Sequence, residues 1–136
     1  NIPWLKTGDL NDGIVNDTSE KITELGVENS SVKENKPGNI LIAMYGATIG
    51  KLGIVGDQKL VTNQACCGCS LFDGIYNWYL FYYLLSSRRR LIDLGSGGAQ
   101  PNISKNKIEK FVFPLPPISE QKRIVSKIKQ LAGYCD

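Results

Sequence analysis

A proline-rich joint, PLPPISEQKRI at residues 114–124, divides this chain into two kinds of sequence. Proline has no N–H to give to a sheet ladder, so a strand-like run at 111–113 is predicted to stop at Pro114. The two further prolines hold the residues before them out of the helical region, which keeps the joint extended. Ser119 is then predicted to cap a helix, because its oxygen accepts from an orphan N–H. The joint is therefore expected to end a globular unit and to launch a helix from it.

The segment beyond the joint has apolar residues at helical spacing, which predicts a helix with one apolar face. The members of this stripe are Ile124, Val125, Ile128, Leu131 and Ala132. Heptad lettering places Ile124 and Leu131 at d and Ile128 at a, with Gln121 at a polar a position of the kind that fixes register. A helix this short is unstable without packing. We therefore expect it to fold back on its own domain or to pair with a second copy.

The rest of the chain has the composition of a globular domain. Of its 136 residues, 42% are hydrophobic and 21% are charged, which is enough for one packed core and does not suggest disorder. The apolar run at 78–85 is too short to span a bilayer, and the first residues lack a signal-peptide pattern, so a cytoplasmic location is expected. Because the chain starts at Asn1 without a methionine, a fragment of a longer protein is expected.

The pattern of short apolar runs predicts an α+β fold. β-Rich runs at 40–44 and 61–71 and a return to a strand at 108–113 predict short, mainly antiparallel strands. Residues 77–87 predict a helix, which 88–94 extend, for a total of one or two helices. Its aromatic face is assigned to the core: Trp78, Phe81, Tyr82 and Leu85.

Four cysteines raise the question of a metal site: Cys66, Cys67, Cys69 and Cys135. Their spacing is a poor match to paired C-x-x-C ligands, and the chain has no histidine. Residues alternate across a strand, so Cys67 and Cys69 are predicted to share one face while Cys66 takes the other. We therefore predict buried free thiols and no metal.

Catalytic chemistry has little support in this sequence. Without histidine the commonest general base is missing, and the acidic residues are scattered. The segment 45–53 contains G-x-x-x-G but neither phosphate-loop nor dinucleotide fingerprint. We interpret it as a tight turn between strands, with Thr48 and Lys51 exposed at its tip as candidate phosphate contacts.

Positive charge is concentrated in the second half of the chain. Residues 1–87 carry six Lys/Arg and nine Asp/Glu, a net of −3, whereas 88–136 carry ten and four, a net of +6. This asymmetry suggests a surface for a polyanion, although a solvated helix face explains it equally well. The candidate phosphate contacts are Arg88, Arg89, Arg90, Lys105 and Lys107.

A glycine-rich loop at 94–104 carries side chains suited to bases. Gln100 and Asn102 are able to bond adenine through two hydrogen bonds, and the Ser104 hydroxyl suits phosphate or base edges. The alternative is that Gln100 and Asn102 hydrogen-bond the backbone of their own loop, as asparagine often does in turns.

Six segments of the chain, taken in order, resemble the DNA-specificity (S) subunit of type I restriction–modification systems. They are IPWLKTGDL at 2–10, KITELGVENSS at 21–31, GNILIAMYGATIGKLGI at 38–54, TNQACC at 62–67, GSGGAQPNIS at 95–104 and FPLPPISEQKRIV at 113–125. The resemblance covers nearly the whole chain, and PLPPISEQKRI is its most specific part.

The resemblance implies a target recognition domain at 1–113 that reads one half of a bipartite DNA site. Residues 114–136 become a joint and the start of a spacer helix that pairs with a second recognition domain or a second copy through Ile124, Ile128 and Leu131. Thr48, Lys51, Gln100, Asn102 and Ser104 would lie at or near the bases.

The resemblance also implies partners that carry the chemistry. Methyltransferase (M) subunits would modify adenine with S-adenosylmethionine and recruit a restriction (R) subunit that uses ATP and Mg²⁺. The chain itself would hold no cofactor and would not be an enzyme. A complete S subunit has two recognition domains and two helices, so a fragment or half of a split subunit is expected.

Two other functions stay open at this point. One is a docking scaffold that has lost DNA reading. The other is the recognition portion of a fused restriction–methyltransferase enzyme.

Overall fold

The computed structural model describes residues 1–95, 97–98 and 101–133. Two four-stranded sheets and five α-helices are found in these residues, and most strand pairs are antiparallel. The predicted α+β class is therefore confirmed, with more helices than predicted. No helix in the described ranges is both long and apolar enough to cross a bilayer.

The strands are short, and the chain passes between the two sheets several times. They are β1 (Ile2–Leu5), β2 (Gly13–Val15), β3 (Glu20–Ile22), β4 (Lys33–Asn35), β5 (Ile40–Ala43), β6 (Leu52–Val55), β7 (Leu60–Thr62) and β8 (Cys66–Cys69). The first sheet has the order β3-β1-β7-β4 and the second has the order β2-β6-β5-β8. The β1–β7 and β2–β6 pairs are parallel, and the others are antiparallel.

The helices are α1 (Glu24–Glu28), α2 (Asn77–Ser86), α3 (Arg88–Asp93), α4 (Lys105–Glu109) and α5 (Ile118–Leu131). Ser87 separates α2 from α3, and its φ of −100° and ψ of 9° lie outside the helical range. The predicted single helix over this region is therefore two consecutive helices. The most buried residues of α2 are Tyr79, Leu80, Phe81 and Leu84. Phe81 alone is shared with the predicted aromatic face, whose other members are half-buried.

Both faces of strand β5 are buried, and each face packs against a different part of the fold. Ile40 and Ile42 pack with α2 residues such as Leu80. Leu41 and Ala43 point the other way, into a core made with the first sheet. The second sheet is thus the middle layer between the first sheet and the helices, which is why this run is continuously apolar.

The cysteines on β8 occupy the two faces as predicted. Cys66 belongs to the core between the sheets, whereas Cys67 and Cys69 pack toward the helices. These three thiols are free, and burial raises the pKa of Cys66 to about 12. Cys66 therefore stays protonated at neutral pH. Cys135 lies outside the described residues.

Two local predictions around the joint are wrong. A strand was predicted at 108–113, but residues 108 and 109 belong to α4, which the Ser104 hydroxyl caps by accepting from the Lys107 N–H. Residues 111–117 are irregular, so Phe111 and Phe113 pack on the core without joining a sheet. Helix α5 is not capped by Ser119. It begins one residue earlier, with the Pro117 carbonyl accepting from the Glu120 and Gln121 N–H groups.

Helix α5 packs along its own domain. Gln121 and Val125 are buried, Ile124 and Ile128 are half-buried, and Leu131 is 76% exposed. Gln121 faces α2 and therefore does not occupy the partner-facing a position predicted for it. The boundary between 1–113 and 114–136 stays a prediction.

Candidate nucleic-acid interface

The two loops that the sequence singled out lie side by side. Tyr45 and Asn102 form an antiparallel bridge, and the Gly46 N–H donates to the Pro101 carbonyl at 3.1 Å. The Ile103 N–H donates to the Met44 carbonyl at 2.8 Å. The end of β5 and the segment that leads into α4 therefore form one continuous edge of the molecule.

A groove of about 530 Å³ opens at this edge, between β4, the start of β8 and the segment before α4. Three predicted DNA contacts line it: Asn102, Ser104 and Lys105. Polar residues from elsewhere in the chain complete it, among them Lys33, Tyr45, Asn63 and Gln64. The groove thus presents amide, hydroxyl and ammonium groups together, which are the groups that read base edges and phosphates.

The floor of the groove is polar and fixed. Asn35 is 4% exposed, and its Nδ2 donates to Thr62 Oγ1 at 3.0 Å and to the Lys33 carbonyl at 3.2 Å. Gly68 leaves the space that this side chain needs, since a Cβ there would lie 1.8 Å from Asn35 Oδ1. The shape of the floor is therefore set by one asparagine and one glycine on neighbouring elements.

Cys67 forms part of the groove wall. The Cys69 thiol donates a hydrogen bond that lowers the pKa of Cys67, and the positive charge of Lys105 lowers it further. Burial and the Glu109 carboxylate act in the opposite direction. Lys105 and Cys67 both line this groove.

Thr48 and Lys51 line a separate, smaller depression of about 220 Å³ together with Arg88. The Thr48 hydroxyl donates to the Tyr45 carbonyl at 3.4 Å, so it partly closes its own turn. Gly50 has a φ of 82° and packs within this turn against Ile92, so a side chain is disfavoured there. Residues 44–51 turn the chain from β5 to β6 beside α3, and Thr48 and Lys51 are half-buried there instead of exposed as predicted.

Arg88 is held by internal partners. Its Nε donates to the Gly50 carbonyl at 3.1 Å, and its Nη2 donates to Asp12 Oδ1. The same carboxylate oxygen accepts from the Leu52 N–H at 3.0 Å. Arg88 therefore ties α3 to the β5–β6 turn and to the loop before β2, which gives it a structural role independent of DNA.

Arg88→Ala is expected to lower the free energy of unfolding by about 1–2 kcal/mol, because the Gly50 carbonyl and Asp12 both lose a charged donor. Urea unfolding followed by circular dichroism measures this change. Arg89→Ala is the matched control, since Arg89 makes no hydrogen bond or ion pair to any described residue and is exposed. Equal stability of the two variants would contradict the structural role of Arg88.

The other predicted phosphate contacts differ in whether their charged groups are already hydrogen-bonded within the protein. Arg90 Nη2 donates to the Tyr83 hydroxyl and to Ser87 Oγ, both at 2.9 Å. Lys107 Nζ donates to the Leu94 carbonyl at 2.7 Å, which joins α4 to the end of α3. Arg89 and Lys105 are exposed and make no hydrogen bond or ion pair within the described part of the chain. Gln100 lies outside the described residues.

Sequence reasoning missed Lys33, Tyr45 and Gln64. Lys33 and Gln64 come together because β4 pairs with β7, with Lys33 opposite Thr62. Such a long-range pairing leaves no local signal. Tyr45 is 47% exposed two residues after the buried strand β5, and this aromatic residue beside a glycine turn was the one signal available.

Comparison with solved structures shows that the fold is a known one. A chain from the structure described as the basis of complex assembly and conformational transition of the type I R-M system matches with a TM-score of 0.75 and 22% identity. The match covers 98% of this chain and 31% of that chain. The HsdS subunit of Thermoanaerobacter tengcongensis matches with a TM-score of 0.72 and 22% identity over 98% of this chain and 30% of that subunit.

Curated relatives agree with the structural comparison. The MjaVIII specificity subunit of Methanocaldococcus jannaschii is 30% identical over 127 residues, which are 90% of this chain and 27% of that protein. The EcoR124I/EcoR124II specificity subunit of Escherichia coli is 26% identical over 128 residues, which are 91% of this chain and 32% of that protein. The chain thus spans about a third or less of the length of these relatives.

The family model described as the type I restriction modification DNA specificity domain matches residues 1–135. The match includes the β5–β6 turn, the groove and the proline joint. The chain therefore belongs to the family of type I restriction–modification DNA specificity domains.

Proposed function

We propose that this domain reads one half of a bipartite duplex DNA target within a type I restriction–modification complex. The observation that carries the proposal is the groove beside the bridge between Tyr45 and Asn102. It gathers hydrogen-bonding side chains from four separate parts of the chain at one exposed edge. Family membership makes DNA the ligand that such an edge is expected to meet.

Phosphate contacts are assigned to exposed cations of α3 and α4. Arg89 on α3 and Lys105 at the start of α4 make no ion pair within the described residues, so neither has to give up an internal partner to bind phosphate. Arg90 and Lys107 would have to exchange a hydrogen bond each. We therefore rank Arg89 and Lys105 first among the phosphate contacts.

Base contacts are assigned to the groove and its rim. Asn102 and Gln64 offer amide groups able to hydrogen-bond base edges, and Tyr45 offers an exposed ring. Thr48 and Lys51 lie on the adjoining turn, where they would contact the DNA next to the groove. Gln100 is kept as a base contact on the basis of the sequence alone.

A protein-docking surface is assigned to the joint. Val112 is 84% exposed, Leu115 is 49% exposed and Ile118 is 42% exposed, so three large apolar residues within one short segment face solvent. Such clustering marks a site for protein contact. We assign it to the methyltransferase subunit, through which the restriction subunit would be recruited.

The chemistry of the complex would lie on those partners. S-adenosylmethionine, ATP and Mg²⁺ would be bound there, and this domain would contribute recognition without catalysis. Its place of action would be the cytoplasm, where the DNA is. The stripe formed by Ile124, Ile128 and Leu131 would pair with a second spacer helix.

Selection from a random duplex pool tests the proposed reading of DNA. The complete polypeptide, assembled with its methyltransferase subunit, is expected to enrich a short motif in gel shifts. Enrichment that disappears when Asn102 and Gln64 are replaced by alanine would support the groove as the reading site. Complex formation with the methyltransferase but no enriched motif would instead identify a docking scaffold.

A further inference from the structure

One fully buried polar side chain connects the spacer helix to the domain. Gln121 on α5 is 0% exposed. Its Oε1 accepts from the Tyr76 N–H at 2.8 Å, and its Nε2 donates to the Gly74 carbonyl at 2.7 Å and to the Pro116 carbonyl at 2.8 Å. The amide therefore uses both of its N–H groups and its carbonyl oxygen within the protein.

These three bonds join separate pieces of the chain. Gly74 and Tyr76 lie in the turn before α2, and Pro116 lies in the proline segment 114–117, directly before α5. A buried amide is costly without partners, and so are the backbone groups that it satisfies. Helix α5 is therefore held to the turn and to the joint by bonds with fixed directions, and these bonds specify one arrangement more sharply than apolar contact does.

Further contacts continue the attachment along α5. Val125, one turn beyond Gln121, is 3% exposed. The Tyr79 hydroxyl donates to the Pro114 carbonyl at 2.8 Å, and Lys129 Nζ lies 4.5 Å from the centre of the Trp78 ring. All of these partners belong to the start of α2 or to the joint. The domain thus holds α5 at both ends of the segment from Gln121 to Lys129.

This attachment also orients the remaining apolar stripe. Gln121 and Val125 are four residues apart and share one face of the helix. Ile124, Ile128 and Leu131 follow a neighbouring face, on which Leu131 is 76% exposed. The packing of Gln121 and Val125 against the domain therefore fixes the direction in which the face with Ile124, Ile128 and Leu131 points.

We propose that Gln121 is a positioning residue for half-site spacing: it sets the angle and the rotation at which the spacer helix leaves the recognition domain. This inference rests on the proposed reading of a bipartite target. One base pair adds about 3.4 Å of DNA length and rotates the half-site by about a tenth of a turn. The separation that the complex accepts then depends on the anchoring of the helix as well as on its length.

Hydrogen exchange of the complete polypeptide, measured without DNA, tests whether Gln121 holds α5 to the domain. Gln121→Met keeps the side-chain length but leaves the Tyr76, Gly74 and Pro116 groups unpaired. We expect amides in Ile118–Leu131 to exchange about tenfold faster or more, while those of β5 stay protected. Gln130→Met is the matched control, because Gln130 is an exposed glutamine on the same helix. Unchanged exchange in the Gln121→Met variant would show that Gln121 does not hold α5 to the domain.

Binding to a series of targets tests the spacing. The assembled complex is titrated with duplexes whose half-sites are moved closer or farther apart by one or two base pairs. For Gln121→Met we expect the preference for the best spacing over its neighbours to fall by about threefold or more, because a loosened helix accepts several spacings. The Gln130→Met complex should keep the wild-type preference.

The possible results distinguish a failure of the positioning role of Gln121 from a failure of the proposed DNA reading. A uniform loss of affinity at every spacing, with the preference intact, would show that Gln121 is only structural and would overturn its positioning role. A wild-type complex without any sequence preference would overturn the proposed function, and the inference with it. Faster exchange together with a broadened spacing preference would support both.

Discussion

Leu41→Ala is expected to lower the free energy of unfolding by about 2–5 kcal/mol, which is a large share of the stability of a small domain. Leu41 is 0% exposed in β5, between β6 and β8. It packs with Leu5 and Leu60 of the first sheet. Removing its side chain leaves a cavity between two sheets that cannot easily close, since each is held by its own ladder.

Urea unfolding measures this loss, and an exposed leucine supplies the control. Leu25 on α1 is 67% exposed, so Leu25→Ala should change the free energy of unfolding by no more than about 0.5 kcal/mol. Similar losses in both variants would show that Leu41 does not lie between two packed sheets. A folded Leu41→Ala protein should still select the same DNA motif, because the groove residues are untouched.

The double variant Arg89→Ala/Lys105→Ala is expected to weaken binding to all duplexes by about tenfold or more at low salt. Each cation that neutralises a phosphate releases a counterion, so the plot of log K against log salt should become shallower by about 1.8. The preferred motif should stay the same, because phosphate contacts carry no direct sequence information. Fluorescence anisotropy across a salt series measures the slope and the affinity together.

Lys21→Ala is the control for the loss of positive charge. Lys21 is an exposed lysine on β3, at the edge of the first sheet opposite to β4 and the groove. Its removal should leave the salt slope unchanged. If the double variant keeps the wild-type slope, or if Lys21→Ala flattens it equally, Arg89 and Lys105 do not contact phosphate.

Much of the local structure was readable from the sequence because it depends on neighbouring residues. The alternation of a strand placed Cys66 apart from Cys67 and Cys69, and the glycines at 46–53 predicted the turn between β5 and β6. The two parallel pairs, β1–β7 and β2–β6, were not readable. They join residues far apart in the chain, where no local pattern records which strands meet.

The candidate site was readable in its composition but not in its geometry. The sequence indicated a basic, amide-rich region at 88–107. It did not reveal that Arg88 bonds Gly50 and Asp12 or that Lys107 bonds the Leu94 carbonyl. Whether a surface cation is free or engaged depends on what the fold brings within reach, so only the structure ranks these residues.

The proline joint combines features that the local sequence predicts with features that only the tertiary structure sets. By itself, the sequence determined that a helix with an apolar stripe follows the prolines, because helical periodicity acts over a few residues. The strand predicted up to Pro114 is not formed, since residues 111–117 are irregular. Only the tertiary structure decided that Gln121 turns inward to Tyr76 and Gly74 while Leu131 stays exposed. The reason is that two of the three hydrogen-bond partners of Gln121, the Tyr76 N–H and the Gly74 carbonyl, lie 45 and 47 residues away in sequence.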